Sequence, residues 1–206
     1  MEIALNNVPF GVGRVAVAPD VSGSMASPVT GRRKGATTAV RCIDVAGLMA
    51  AAMLRANRDA RVLPFENGVV DIALNPRDSV MSNAKKLAAI GGGGTNCSAP
   101  LVRLNAEKAI VDLFVFVSDN QSWMDARGQG QATAVMTEWA KLKARCPDAK
   151  LVCIDVQPHG TTQAPERDDI LNVGGFSDAV FEVVAKFASG ALGPQHWVAE
   201  IETITV

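Results

Sequence analysis

Hydrophobic positions along this chain fall into two rhythms. Some stretches are apolar at nearly every position: "RVAVA" (14–18), "IVDLFVFVS" (110–118), "KLVCIDV" (150–156) and the shorter "DILNVG" (169–174). Unbroken runs of this length, rich in Val, Ile and Phe, predict strands buried on both faces, and 110–118 reads as a central parallel strand. Other stretches carry apolar residues at helical spacing. "TTAVRCIDVAGLMAAAMLRAN" (37–57) predicts a long helix whose broad apolar face holds Val40, Ile43, Ala46, Leu48 and Met49. Further helices are predicted at 78–89 with Asp78 or Ser79 as N-cap, near 129–144, and at 177–189 with Ser177 as cap. "ARVLPF" and "VVDIAL" flank "ENG", and Asn-Gly between strand-like runs predicts a β-hairpin. The ending "HWVAEIETITV" fits helix and strand equally.

Strands alternating with helices predict an α/β fold: a doubly wound, mostly parallel six-stranded sheet, with helices on both faces and one antiparallel edge strand from the hairpin. No internal repeat or low-complexity linker divides residues 1–206, so a single Rossmann-like domain is expected. In the strand order 3-2-1-4-5-6 the first and fourth strands are neighbours at the reversal point. Ligands bind there, beyond the carboxyl ends of the strands.

That placement gives meaning to "PDVSGSM" (19–25), which follows the first strand at once. Asp20, Ser22 and Ser24 are a carboxylate and two hydroxyls at alternating positions, an oxygen-only set that suits a hard cation. Asp119 lies just past the carboxyl end of the fourth predicted strand and should face the same crevice. Two facing carboxylates repel, and a divalent ion removes the difficulty. "GGGGTNCSAP" adds Thr95 after four glycines, opening a helix near Cys97. Such a loop allows close backbone approach and presents a hydroxyl; it could equally cradle a phosphate. Alone, D-x-S-x-S reads as a polar loop capping the next helix, and the glycine loop is neither a P-loop nor a dinucleotide fingerprint.

Together, Asp20, Ser22, Ser24, Thr95 and Asp119 resemble the metal-ion-dependent adhesion site (MIDAS) of von Willebrand factor A (vWA) domains. "DVSGSMASPVTGRRKGATTAVRCIDVA", "GGGGTNCSAPL", "VFVSDNQSW" and "NVGGFSDAVFEVV" are similar to the vWA domain of the Ro (TROVE) RNA-binding proteins, of a bacterial or phage kind. "EIALNNVP" resembles the junction leaving that family's ring of helical repeats, and the ring itself is absent from these 206 residues. The resemblance implies a magnesium ion, with manganese and calcium as the other candidates, held by those five residues. It implies that the ion's open position is completed by an acidic or phosphate oxygen from a protein or RNA partner. It also implies a Y-like or structured non-coding RNA, gripped mainly through the missing helical domain. Pro19 departs from the pattern by removing a backbone donor at the strand end, without displacing Asp20.

Composition narrows the alternatives. A formal charge of −1, from 20 basic and 21 acidic side chains, provides no global field for nucleic acid or an anionic membrane. Local attraction to phosphate rests on Arg32, Arg33 and Lys34 in "GRRKG", beside a reading of the same loop as solvated surface. "VAGLMAAAML" is too short to span a bilayer and is bracketed by Asp44 and Arg55. Residues 1–10 lack the basic start and apolar run of an export signal, and the four cysteines form no C-x-x-C pair. A reducing cytoplasm is the expectation. Cys97 reads as a small buried hydrophobe, Trp123 as a residue packed on the sheet edge, and His159 and His196 as poorly spaced for zinc or a triad.

Two other functions compete with a binding module. A metal-dependent hydrolase or phosphotransferase at the same crevice would want a second Asp two residues after Asp20, where Ser22 stands, and the motifs hold no His or Lys to act as base. A nucleotide-binding domain would want an acidic residue closing the second parallel strand; Glu66 comes near that place but fits the hairpin turn better. No catalytic residue is assigned, and a non-enzymatic role is expected.

Overall fold

The computed structural model describes residues 13–31, 39–119, 134–157, 167–177 and 179–191. Its strands are β1 (Val15–Pro19), β2 (Arg61–Val62), β3 (Leu113–Ser118), β4 (Lys150–Asp155) and β5 (Ile170–Gly174). Among the described residues the α-helices are α1 (Cys42–Ala56), α2 (Val80–Ala88), α3 (Ala99–Ala106), α4 (Ala134–Arg145) and α5 (Ala179–Ala188). The sheet is parallel throughout, in the order β2-β1-β3-β4-β5. Winding reverses between β1 and β3, which run side by side from Val15 opposite Leu113 to Pro19 opposite Val117.

Strand alternation sends successive side chains to opposite faces, and both faces are dry. Val15, Val17, Leu113, Val115, Val117, Val152 and Ile154 pack with α1, α2 and α5. Ala16, Ala18, Phe114, Phe116, Leu151 and Cys153 pack with Leu101 and Leu104 of α3 and with Val135, Trp139 and Leu142 of α4. On the second face small residues sit beside large ones, Ala16 opposite Phe114 and Ala18 opposite Phe116. Phe116 meets Phe114 and Phe65 edge-on, with ring centroids 4.7 Å and 5.7 Å away. Each fully buried ring is worth about 1.5–3 kcal/mol of transfer free energy, before the edge-on contacts are added.

The fold class is the expected one, with two differences of detail. Among the described residues the sheet has five strands, and "VVDIAL" joins none of them. Asn67-Gly68 does make a tight turn, Glu66 N–H donating to the Gly68 carbonyl at 2.9 Å, but the antiparallel pairing stops at a single bridge between Phe65 and Val69. The antiparallel edge strand is therefore not formed. Parallel pairing on the other side is also cut short, and Pro19 explains it. Leu63 and Phe65 donate to the carbonyls of Val17 and Pro19, and Val21 donates to the carbonyl of Phe65. The reciprocal bond due from residue 19 is missing because proline has no N–H, so β2 ends as a regular strand at Val62.

The second difference concerns α1, which begins at Cys42 rather than near residue 37. The Asp44 carboxylate accepts from both the N–H and the guanidinium of Arg41 at the helix start, and Val40 lies outside the helix at 47% exposure, so Val40 is not part of its apolar face. Backbone bonding decides this: Val29 N–H donates to the Val40 carbonyl and Cys42 N–H to the Ser27 carbonyl, holding the segment as an extended return. Ser79 is the N-cap of α2, its hydroxyl accepting from Ser82 N–H at 3.0 Å. Residues 1–10 and the ending "HWVAEIETITV" lie outside the described residues.

Candidate metal centre

β1 delivers Asp20 to the carboxyl end of the sheet. Its N–H still belongs to the ladder, donating to the Val117 carbonyl at 2.8 Å, while the side chain is fully buried. Oδ1 accepts from the Ser22 N–H at 2.9 Å, a local Asx-type bond that turns the chain away from the sheet. Oδ2 accepts from the Ser118 hydroxyl at 3.0 Å, tying the ends of β1 and β3 together. A single 3-10 turn, Gly23–Ala26, follows, and the hydroxyl oxygens of Ser22 and Ser24 lie 3.3 Å apart. Asp119, immediately after β3, is also fully buried. Burial raises the carboxyl pKa of Asp20; the hydrogen bonds from Ser22 and Ser118 oppose that rise, and the nearby charge of Asp119 adds to it.

Cys42 stands at the start of α1 over the same crest. Burial, then the charges of Asp119, Asp155 and Asp20, push its thiol up to about 11. With no cation bound, the thiol keeps its proton at neutral pH. Among the described residues no three His, Cys, Asp or Glu side chains gather into a metal cage. Two carboxylates with three hydroxyls are a different kind of set, one whose donors fit a hard cation.

Thr95 reaches this region on the glycine loop. The Gly93 carbonyl accepts from Gly23 N–H at 2.8 Å, so the loop rests directly on the turn between Ser22 and Ser24. Gly92 has φ +134°, which explains one glycine of the four. Close approach explains the next: a Cβ at Gly93 would stand 2.3 Å from Glu66 Oε2, whose carboxylate instead accepts the Gly93 N–H at 2.8 Å. An N–H spent on an internal carboxylate is a poor start for a phosphate cradle, because the carboxylate repels the phosphate.

Compared with known proteins, residues 14–188 match the family profile of the Ro60 vWA domain. The chain belongs to the Ro60 vWA-domain family. It is 32% identical over 200 residues to RNA-binding protein RO60 of Deinococcus radiodurans, covering 91% of this chain and 34% of that protein. It is 23% identical over 190 residues to RNA-binding protein RO60 of Caenorhabditis elegans, covering 92% of this chain and 28% of that one. The crystal structure of the Deinococcus radiodurans RO (RSR) protein superposes with a TM-score of 0.70 at 26% identity, over 93% of this chain and 37% of the other. The chain thus spans about a third of the length of these Ro60 relatives.

Within this Ro60 vWA fold, Asp20, Ser22 and Ser24 share one turn, and Asp119 lies within electrostatic reach of Asp20. Thr95, half-buried, is two residues beyond the Gly93 contact. Arg32, Arg33 and Lys34, with Trp123, His159 and His196, lie outside the described residues. Cys97 is buried among Phe116, Leu101 and their neighbours, as a small hydrophobe would be. Sequence reasoning missed the part of Ser118, whose hydroxyl is aimed at Asp20, and of Asp155, the buried carboxylate ending β4. The signal for Ser118 was present: a polar residue closing an otherwise apolar strand, next to a motif aspartate. Among the described residues no helix is long and apolar enough to cross a membrane.

Proposed function

We propose that this Ro60-type vWA domain is a metal-dependent recognition module. Asp20, Ser22, Ser24, Thr95 and Asp119 would hold one divalent cation, magnesium by preference. When bound, the ion supplies a positive charge at the crest with a position open to an acidic or phosphate oxygen. The observation that carries this reading is the pair of fully buried carboxylates, Asp20 and Asp119, at the ends of adjacent strands, with two serine hydroxyls on the turn that follows the first. Burying two like charges side by side costs several kcal/mol unless a cation accompanies them.

The residues divide the work. Asp20 spends one lone pair on Ser22 N–H and one on the Ser118 hydroxyl, which orients its carboxylate at the top of β1. Ser22 and Ser24 contribute neutral oxygens, so the set stays short of full neutralisation and attracts an anion. No His or Lys stands in the motifs to act as base, and the reading is of binding rather than catalysis. The names of the relatives point to RNA as the partner, and the domain would belong to a cytoplasmic ribonucleoprotein.

Calorimetric titration of the full chain with magnesium or manganese chloride tests the reading. The unmodified chain binds one ion, and Asp20→Ala reduces that affinity at least about 100-fold while the circular dichroism of the fold is kept. Equal affinity in the two proteins, or magnesium-dependent phosphatase turnover lost in Asp20→Ala, would overturn it.

A further inference from the structure

The glycine loop does not hold itself against the crest. Two successive residues of the preceding turn, Glu66 and Asn67, hold it. Glu66 Oε2 accepts from Gly93 N–H at 2.8 Å, and the Glu66 carbonyl accepts from Asn96 N–H at 2.7 Å. Asn96 Nδ2 donates to the Asn67 carbonyl at 3.3 Å. Thr95 lies between these anchors, one residue before Asn96 and two after Gly93. The turn is itself pinned to the strand that carries Asp20: Phe65 N–H donates to the Pro19 carbonyl and Val21 N–H to the Phe65 carbonyl. Gly93 closes the circuit by accepting from Gly23 N–H. A circuit of hydrogen bonds and short stretches of chain therefore joins Pro19 and Val21 through Phe65 and Glu66 to Gly93, and from there through Gly23 and Ser22 back to Asp20 Oδ1.

Two links in that circuit are charged side chains: Asp20, bonded within its own turn, and Glu66, which reaches across to the glycine loop. We infer that Glu66 is a positioning residue, which clamps the Thr95 loop onto the D-x-S-x-S turn and so sets the affinity of the crest for its cation. The carboxylate fills the space a side chain at residue 93 would need, since a Cβ there would stand 2.3 Å from Oε2 and 2.4 Å from the carboxyl carbon. Similarly, a Cβ on Gly94 would stand 2.6 Å from Asn67 Oδ1. Glycines at both places are thus the complement of this turn. Charge-assisted bonds to backbone N–H groups are the strong class of hydrogen bond, and partners outside a metal's own ligand set commonly tune affinity 10- to 100-fold.

The inference rests on the metal reading above, and the experiment separates the two. The full chain and its Glu66→Ala and Glu66→Gln variants are titrated with manganese chloride, and amide exchange at Gly23 and Gly93 is followed in metal-free buffer. Glu66→Ala is expected to weaken manganese binding about 10- to 100-fold and to speed exchange at both amides. Glu66→Gln keeps an acceptor for Gly93 N–H and is expected to retain most of the affinity and protection. Loss in Glu66→Gln equal to that in Glu66→Ala would overturn positioning in favour of a direct role for the charge. Unchanged affinity in Glu66→Ala would overturn the inference outright. If the unmodified chain takes up no manganese, the metal reading falls, and faster exchange in Glu66→Ala still separates a clamp from its absence.

Discussion

Two aspartates at opposite ends of the same strand pair are held in opposite ways. Asp112, just before β3, meets Arg14, just before β1: the guanidinium donates to both carboxylate oxygens at 2.9 Å and 2.7 Å, and Arg14 N–H donates to Oδ2 at 2.7 Å. The bond from Arg14 lowers the Asp112 pKa, and the pair stays largely exposed. Asp20, just after β1, is sealed from solvent, takes hydroxyl and amide hydrogens, and has its pKa raised, burial being the first cause. One end of the pair carries a cation within the protein; the other gathers carboxylates. Stability alone accounts for the first arrangement, and the proposed cation site would account for the second.

The largest effect comes from the wall that both ends share. Phe116 lies fully buried between them, so Phe116→Ala should cost about 3–5 kcal/mol, read as the denaturant midpoint, and should loosen both ends together. A loss confined to the crest would show that the ends are independent. Next in size is Asp20→Asn in chelator-treated protein. Removing one of two neighbouring buried charges while keeping the side chain's shape should stabilise the fold by about 1 kcal/mol. A lower melting temperature in that variant would break the contrast, placing Asp20 with the structural carboxylates.

Asp112→Asn has the smallest expected effect, a destabilisation well below the ~1 kcal/mol ceiling of exposed pairs because solvent screens the bond. Its sign follows from the lowered pKa. The contribution is present at neutral pH and persists down to the ordinary carboxylate range. It disappears as pH falls through the lowered value, so the variant and parent melting curves should converge in acid.

The contrast between the two ends also marks what was legible in the chain. β3 could be read because a strand buried on both faces needs apolar residues at every position, and 113–117 supply them. D-x-S-x-S could be read because its spacing is local and its turn is closed by its own Asp20–Ser22 bond. The hairpin was over-read: Asn67-Gly68 encodes a turn, but a second strand also needs a partner, and none of the described strands pairs with residues 70–75. Val40 was over-read because apolar character does not say which segment the backbone will bond. Glu66 could not be read as a clamp, since its bond joins residues 27 positions apart and exists only once the chain has folded. Its trace was the excess of glycine across from it.

Pro19 has a consequence for the molecule among its own copies. A parallel sheet ends on each side in a row of backbone groups that other chains can join, and long regular borders invite fibres. On the β2 side, the missing proline N–H interrupts the ladder, so regular pairing spans two residues and gives way to a single bridge at Phe65 before the turn at 66–68. The proline beside the motif leaves the regular part of that border two residues long, a poor template for another chain.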